Sequence, residues 1–159
     1  MTKHKEYDNK LLKHFINPEN TGVILHPDAY ARIQNPVNGY TTDLYFTIDN
    51  NKITNAQFKT YGCTVTIAAG SAITKILKDT QINDLLERDN PSQYLKQQLT
   101  KELGNIPDKN WHCIPTIIKA VYSALQAYFT QQKNNQYIPT LTQLIESVDA
   151  ETTKRLQKH

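Results

Sequence analysis

Apolar positions at Tyr7, Leu11, Leu12, Phe15 and Ile16 recur every three or four residues, the spacing of a helix with one buried stripe. Behind them "NPENTG", residues 17–22, supplies the proline and glycine that stop a helix. From residue 30 the period changes. In "TTDLYFTI", residues 41–48, Leu44, Phe46 and Ile48 alternate with Asp43, Tyr45 and Thr47, which predicts a half-buried strand. "DNN" at 49–51 is turn chemistry, and "KITNAQFKTY" then places Ala56 and Phe58 on one face and Gln57 and Lys59 on the other. Strand, short turn and strand make a hairpin.

At Gly62 the helical period returns. Val65, Ala69, Ala72, Ile73, Ile76 and Leu77 form a stripe with small residues suited to close packing. Residues 80–104 divide into shorter helical pieces around "RDNPS". Pro115 is expected to open an amphipathic helix carrying Ile118, Val121, Leu125, Tyr128 and Phe129, because proline's missing N–H has no partner at the first helical position. "TQQKNNQ", 130–136, reads as a polar linker or frayed helix end. "TLTQLIESV" then begins a last helix, with Thr140 and Gln143 spaced as a capping box. A helix, then strands, then helices predict an α+β fold. Its small antiparallel sheet, of about three strands, packs against several helices, with an extra helix at the C-terminus.

Length and composition narrow the class. A chain of 159 residues fits one domain that buries roughly 70% of the surface its unfolded form exposes. No apolar run approaches the ~18–20 residues that span a bilayer, so no membrane segment is expected. The opening "MTKHKEYDNK" lacks the apolar stretch of a secretory signal. The net charge of +3 comes from scattered Lys and Arg residues, which gives no footprint for nucleic acid. Two cysteines fifty positions apart are too few for a disulfide framework and favour a reducing, cytoplasmic compartment.

Those two cysteines are the candidate chemistry. Cys63 lies between the end of a strand and the start of a helix, and Cys113 lies just before Pro115 with His112 beside it. Both thiols are thus predicted near helix N-termini, where the macrodipole and free N–H groups favour thiolate. Metal binding is one use for such a set. A thiol nucleophile with a histidine base, Cys63 with His112, is another. The plain alternative is that small cysteines pack well at crowded junctions. His4, His14, His26 and His159 are dispersed and read as surface or internally satisfied residues.

Several segments together resemble the U-type iron–sulfur cluster assembly scaffolds, IscU and the N-terminal domain of NifU. "YDNKLLKHFINPENTG" is similar to their opening helix and the turn behind it, and "NPVNGY" occupies the place of their first ligand loop. "ITNAQFKTYGC" matches the strand that leads to their second ligand. "IPDKNWHC" falls where they carry a chaperone-binding segment running into a His-Cys pair. The resemblance covers residues 7–129. It implies a scaffold domain over 1–129. Residues 130–159 lie outside it, a polar linker plus a helical extension whose stripe of Leu141, Leu144, Ile145 and Val148 either packs on the domain or offers a dimer or partner surface.

By resemblance, Cys63, His112 and Cys113 stand at ligand positions for a [2Fe–2S] cluster or iron, with zinc as the alternative occupant. A scaffold of this kind has no turnover of its own. A cysteine desulfurase supplies its sulfur, and iron–sulfur acceptor proteins receive the cluster. The departures are as specific as the match. The family's Cys-Gly-Asp loop reads Asn38-Gly39-Tyr40, losing a thiolate and a carboxylate. Its Leu-Pro-Pro-Val-Lys segment reads Ile106-Pro107-Asp108-Lys109-Asn110, which weakens the expectation of chaperone contact. Its Gly-Ser after the second cysteine is Thr64-Val65, which changes the donors at that helix start. With three ligands per chain where a cluster normally takes four, the remaining place falls to water, the Tyr40 phenolate, a partner's cysteine, or a second copy in a homodimer.

Overall fold

The computed structural model describes residues 6–158. Its elements run α1 (Asn9–Ile16), β1 (Ala29–Gln34), β2 (Thr41–Asp49), β3 (Lys52–Thr60), α2 (Thr64–Leu77), α3 (Ile82–Leu86), α4 (Pro91–Leu103), α5 (Cys113–Gln131) and α6 (Ile138–Gln157). His4 and His159 lie outside the described residues. The expected α+β architecture is present, with the three strands forming one antiparallel sheet in the order β1-β2-β3.

The hairpin between β2 and β3 turns on Asn50 and Asn51, both left-handed at φ 50° and 63°. Asparagine tolerates that conformation, and two such residues in a row match the natural twist of paired strands. Register then puts Leu44 opposite Phe58 and Phe46 opposite Ala56, so their side chains share the buried face. α2 covers that face from β3 and α5 covers it from β1. α2 is buried on most sides, which its run of Ala68, Ala69, Gly70, Ser71 and Ala72 permits. α1 lies on α2, tied by His14 Nδ1 to Ser71 Oγ at 2.7 Å, so His14 is an internally satisfied histidine.

Four local expectations need correction. Phe15 and Ile16 are exposed, because α1 presents Leu11 and His14 to the core and the helix ends before its second apolar ridge meets a neighbour. Asp43 is buried rather than solvated. The Arg32 guanidinium grips its carboxylate at 2.7 and 3.0 Å, and Tyr30 donates to it at 2.7 Å from the adjacent strand. α5 begins at Cys113, two residues before Pro115. Proline is tolerated there because the first four N–H groups of a helix lack intrahelical partners. α6 begins at Ile138 with Pro139 in its first turn, so Thr140 lies inside the helix and forms no capping box with Gln143.

α6 packs on α5 through Leu141 and Val148, with Lys119–Asp149 and Lys96–Glu151 ion pairs at 2.8 and 3.0 Å beyond them. Among the described residues no helix is long and apolar enough to cross a membrane.

Phe58 and Gly70 hold β3 against the helix that carries the first cysteine. A Cβ at Gly70 would overlap the Phe58 ring, leaving no room for even a methyl group. Gly70→Ala is therefore expected to lose about 1–3 kcal/mol through overpacking. Urea unfolding measures it, and an unchanged midpoint would contradict this packing.

Candidate metal and cluster site

Cys63 is the residue that caps α2, with extended backbone before the first turn. Its sulfur lies in the anion-favouring zone at the start of the helix. Burial alone would raise the thiol. The Thr66 hydroxyl, 3.3 Å from Sγ, and the Thr66 and Val65 N–H groups outweigh that and hold it below the usual cysteine range. Cys113 opens α5 across from it and is buried. Its thiol is pushed up to about 12 by burial, against the Thr66 hydroxyl, with neighbouring Cys63 adding to the rise.

Thr66 joins the two thiols. Its Oγ1 lies 3.3 Å from Cys63 Sγ and 3.6 Å from Cys113 Sγ, so one hydroxyl bridges both sulfurs. Gly62 makes this approach possible, since a Cβ there would lie 2.8 Å from Thr66 Cβ. Cys63 is thus the more accessible sulfur, its thiol held below the usual range, and Cys113 is the buried one behind it with its thiol pushed up.

His112 is buried, and burial holds its imidazole below the usual range while the Lys109 backbone carbonyl acts the other way. Its Nδ1 lies 3.8 Å from Cys113 Sγ and 2.8 Å from Asn35 Nδ2. Trp111 packs edge-on against the ring at 5.8 Å, and Arg155 of α6 lies 4.5 Å over the Trp111 ring. The C-terminal helix therefore reaches the segment that carries the His-Cys pair.

The loop after β1 is folded on Asn35. Asn35 Oδ1 accepts from the Val37 N–H at 2.8 Å and the Asn38 N–H at 3.4 Å, and the Asn35 N–H donates to the Tyr40 carbonyl at 2.8 Å. Gly39 supplies the left-handed residue at φ 75° that the loop requires. Asn38 is exposed, and its amide oxygen accepts from the Tyr40 N–H at 3.0 Å. Tyr40 is exposed as well, as are Val37 and Tyr61 on the neighbouring segments.

Cys63, Cys113 and His112 are thus neighbours. Among the described residues, however, no group of three or more His, Cys, Asp or Glu side chains is arranged to hold a metal ion. The donor chemistry suits a thiophilic metal, two sulfurs and an imidazole, but the ring nitrogen on the sulfur side is engaged by Asn35. Sequence reasoning missed Asn35 and Thr66. Asn35 precedes Pro36 in an Asn-Pro turn, which signals a capped loop but not its reach to residue 112. Thr66 carries no sequence signal beyond sitting three residues after Cys63.

Residues 6–135 match the family described as "NifU-like N terminal domain". The chain belongs to that family. Its NifU-like domain is 30% identical over 123 residues to the iron–sulfur cluster assembly scaffold protein IscU 1 of Archaeoglobus fulgidus, covering 77% of this chain and 76% of that one. It is also 30% identical over 131 residues to the scaffold protein IscU of Aquifex aeolicus, covering 80% and 78%. The same fold is found in a protein described as an iron–sulfur cluster assembly scaffold for the SUF system, from Fervidobacterium islandicum. That structure gives a TM-score of 0.58 at 18% identity, covering 78% of this chain and 99% of the other.

The two thiols of the NifU-like domain differ enough to be told apart chemically. Iodoacetamide is expected to alkylate Cys63 well before Cys113, with a rate that rises at lower pH than for an ordinary cysteine. Thr66→Val removes the hydroxyl that stabilises the Cys63 thiolate, so the pH profile for Cys63 moves upward. Peptide mass spectrometry across a pH series measures both. Equal reactivity of the two cysteines would contradict the bridged arrangement.

Proposed function

We propose that this NifU-like protein is a cluster assembly scaffold. It accepts iron and sulfide at Cys63 and Cys113 and passes the resulting [2Fe–2S] cluster to acceptor proteins. The observation that carries the reading is the single hydroxyl between a poised thiol and a protonated one, at two facing helix starts, inside a domain whose relatives are named as scaffolds. Cys63 binds iron first, because it is the accessible, lowered-pKa thiol, and sulfide joins after the donor's persulfide sulfur has been reduced by two electrons from an external thiol or electron-transfer protein. Cys113 follows, since coordination displaces its proton. The sulfur donor is a cysteine desulfurase. The scaffold domain spans 1–129, and α6 is an appended helix that braces α5.

The second reading is a zinc-holding or cluster-free protein that keeps the fold and binds the sulfur donor or another scaffold. It is favoured by one observation, the engagement of His112 Nδ1 and the Asn38 amide in hydrogen bonds of their own. Transfer separates the two. Protein reconstituted anaerobically with iron and sulfide is mixed with an apo-ferredoxin, and visible circular dichroism follows the cluster. The scaffold reading expects the signal to move to the ferredoxin at a rate that depends on acceptor concentration. Cluster that stays bound, or reaches the ferredoxin no faster than free iron and sulfide do, would contradict it.

A further inference from the structure

We infer that Asn35 is a latch on this site. Its carboxamide occupies His112 Nδ1 and clamps the 35–40 loop, so His112 becomes a metal donor only after Asn35 lets go. The inference rests on reading Cys63, Cys113 and His112 as donors.

The orientation of the amide is fixed by its surroundings. Two backbone N–H groups, of Val37 and Asn38, point at one end of the Asn35 side chain, and only the oxygen can accept them. The end at His112 is therefore the NH2 group. It can only donate, so His112 Nδ1 must accept and the neutral ring carries its proton on Nε2. Both partners are buried, with Asn35 2% and His112 4% exposed, so water does not compete for the contact.

Nδ1 is also the ring nitrogen that lies 3.8 Å from Cys113 Sγ. The ring nitrogen beside Cys113 is thus the one Asn35 holds. A metal bound to Cys113 takes Nδ1 only by displacing the amide. The Nε2 proton stays where it is, so the exchange needs no proton transfer at the ring.

The same side chain ties this exchange to the loop. Asn35 Oδ1 caps the turn whose tip is Asn38-Gly39-Tyr40, and the Gly39 N–H returns to the Asn35 carbonyl at 2.9 Å. The cavity of about 10 Å³ beside Asn35, Thr66 and Cys113 is about the room of one water, too little for a carboxamide to swing inward. Release therefore goes outward and carries the loop with it. Asn35 is a positioning residue. It sets the order in which donors become available, thiols first and imidazole last.

The test uses zinc alone as probe. Asn35→Ser keeps a side-chain oxygen for the turn, since serine caps turns in the same way, but is too short to reach the ring. Ring-nitrogen NMR of the wild-type protein is expected to give the Nε2–H tautomer, and adding zinc is expected to move the Nδ1 resonance as the amide is displaced. In Asn35→Ser the metal-free ring loses its single-tautomer signature, and zinc affinity in chelator competition rises roughly three- to tenfold, the scale of one hydrogen bond. An Nδ1–H ring in wild type, or equal or weaker zinc affinity in a folded Asn35→Ser, would overturn the latch. Should the variant not fold, the wild-type ring decides, because zinc bound to His112 through Nε2 with the Asn35 contact intact would also overturn it. If neither protein binds zinc or iron, the site reading fails. The tautomer change in Asn35→Ser then still decides whether Asn35 controls the ring.

Discussion

Cys63→Ala is expected to leave the protein folded and to remove essentially all iron and sulfide that the wild-type chain takes up on reconstitution. The fold survives because Cys63 is half-buried and its sulfur makes only weak contacts with Thr66 and Val65 at the start of α2, so its truncation costs about 1 kcal/mol. Binding does not survive. Cys63 is the only cysteine among the described residues that is both accessible and lowered in pKa, and without it the remaining sulfur is buried with its proton held on. A cluster needs thiolates, and one such thiol with one hydrogen-bonded imidazole does not hold it. Iron and acid-labile sulfide analysis, with far-ultraviolet circular dichroism on the same sample, separates loss of binding from loss of fold. Full occupancy in folded Cys63→Ala would show that the metal binds elsewhere.

Asn38→Cys is expected to act in the opposite direction. Asn38 is the residue that resemblance in sequence alone places at a ligand position, and it lies at the tip of a loop that bends through Gly39 at φ 75°. The side chain is exposed and gives up one hydrogen bond, from the Tyr40 N–H at 3.0 Å, so the substitution costs about 1 kcal/mol or less. It adds a third thiolate to the set. Changes in residues that merely support a metal ligand alter affinity about 10–100-fold, so a new direct donor should retain cluster at least about tenfold longer against a chelator. Bleaching of the visible absorbance with excess chelator measures the lifetime. An unchanged lifetime would mean that the loop does not face the bound cluster.

The hydrophobic pattern carries most of the fold because each element buries one face. Leu44, Phe46 and Phe58 alternate as they must on a sheet covered from one side, and the small residues of α2 announce close packing before any contact is known. Element ends are harder to read. Pro115 marks the start of α5 only to within two residues, because any of the first four helical positions can do without its N–H. Asp43 shows a different limit. Its burial depends on Arg32 and Tyr30 from the next strand, a pairing that alternation within β2 cannot contain.

The site divides along the same line. Cys63, His112 and Cys113 stand out by residue type and by their place at helix starts. The groups that govern them do not. Thr66 and Asn35 are ordinary polar residues whose importance comes from contacts 47 and 77 positions along the chain, and only the folded geometry brings those together.

The scaffold role requires the wild-type chain to hold a cluster with Asn38 at the tip of its 35–40 loop. Anaerobic reconstitution with iron and sulfide, followed by iron, zinc and acid-labile sulfide determination per chain, tests that directly. The scaffold account predicts iron and sulfide in equal amounts with visible charge-transfer absorbance. Zinc without sulfide, or a folded protein carrying neither metal nor sulfide, would contradict it.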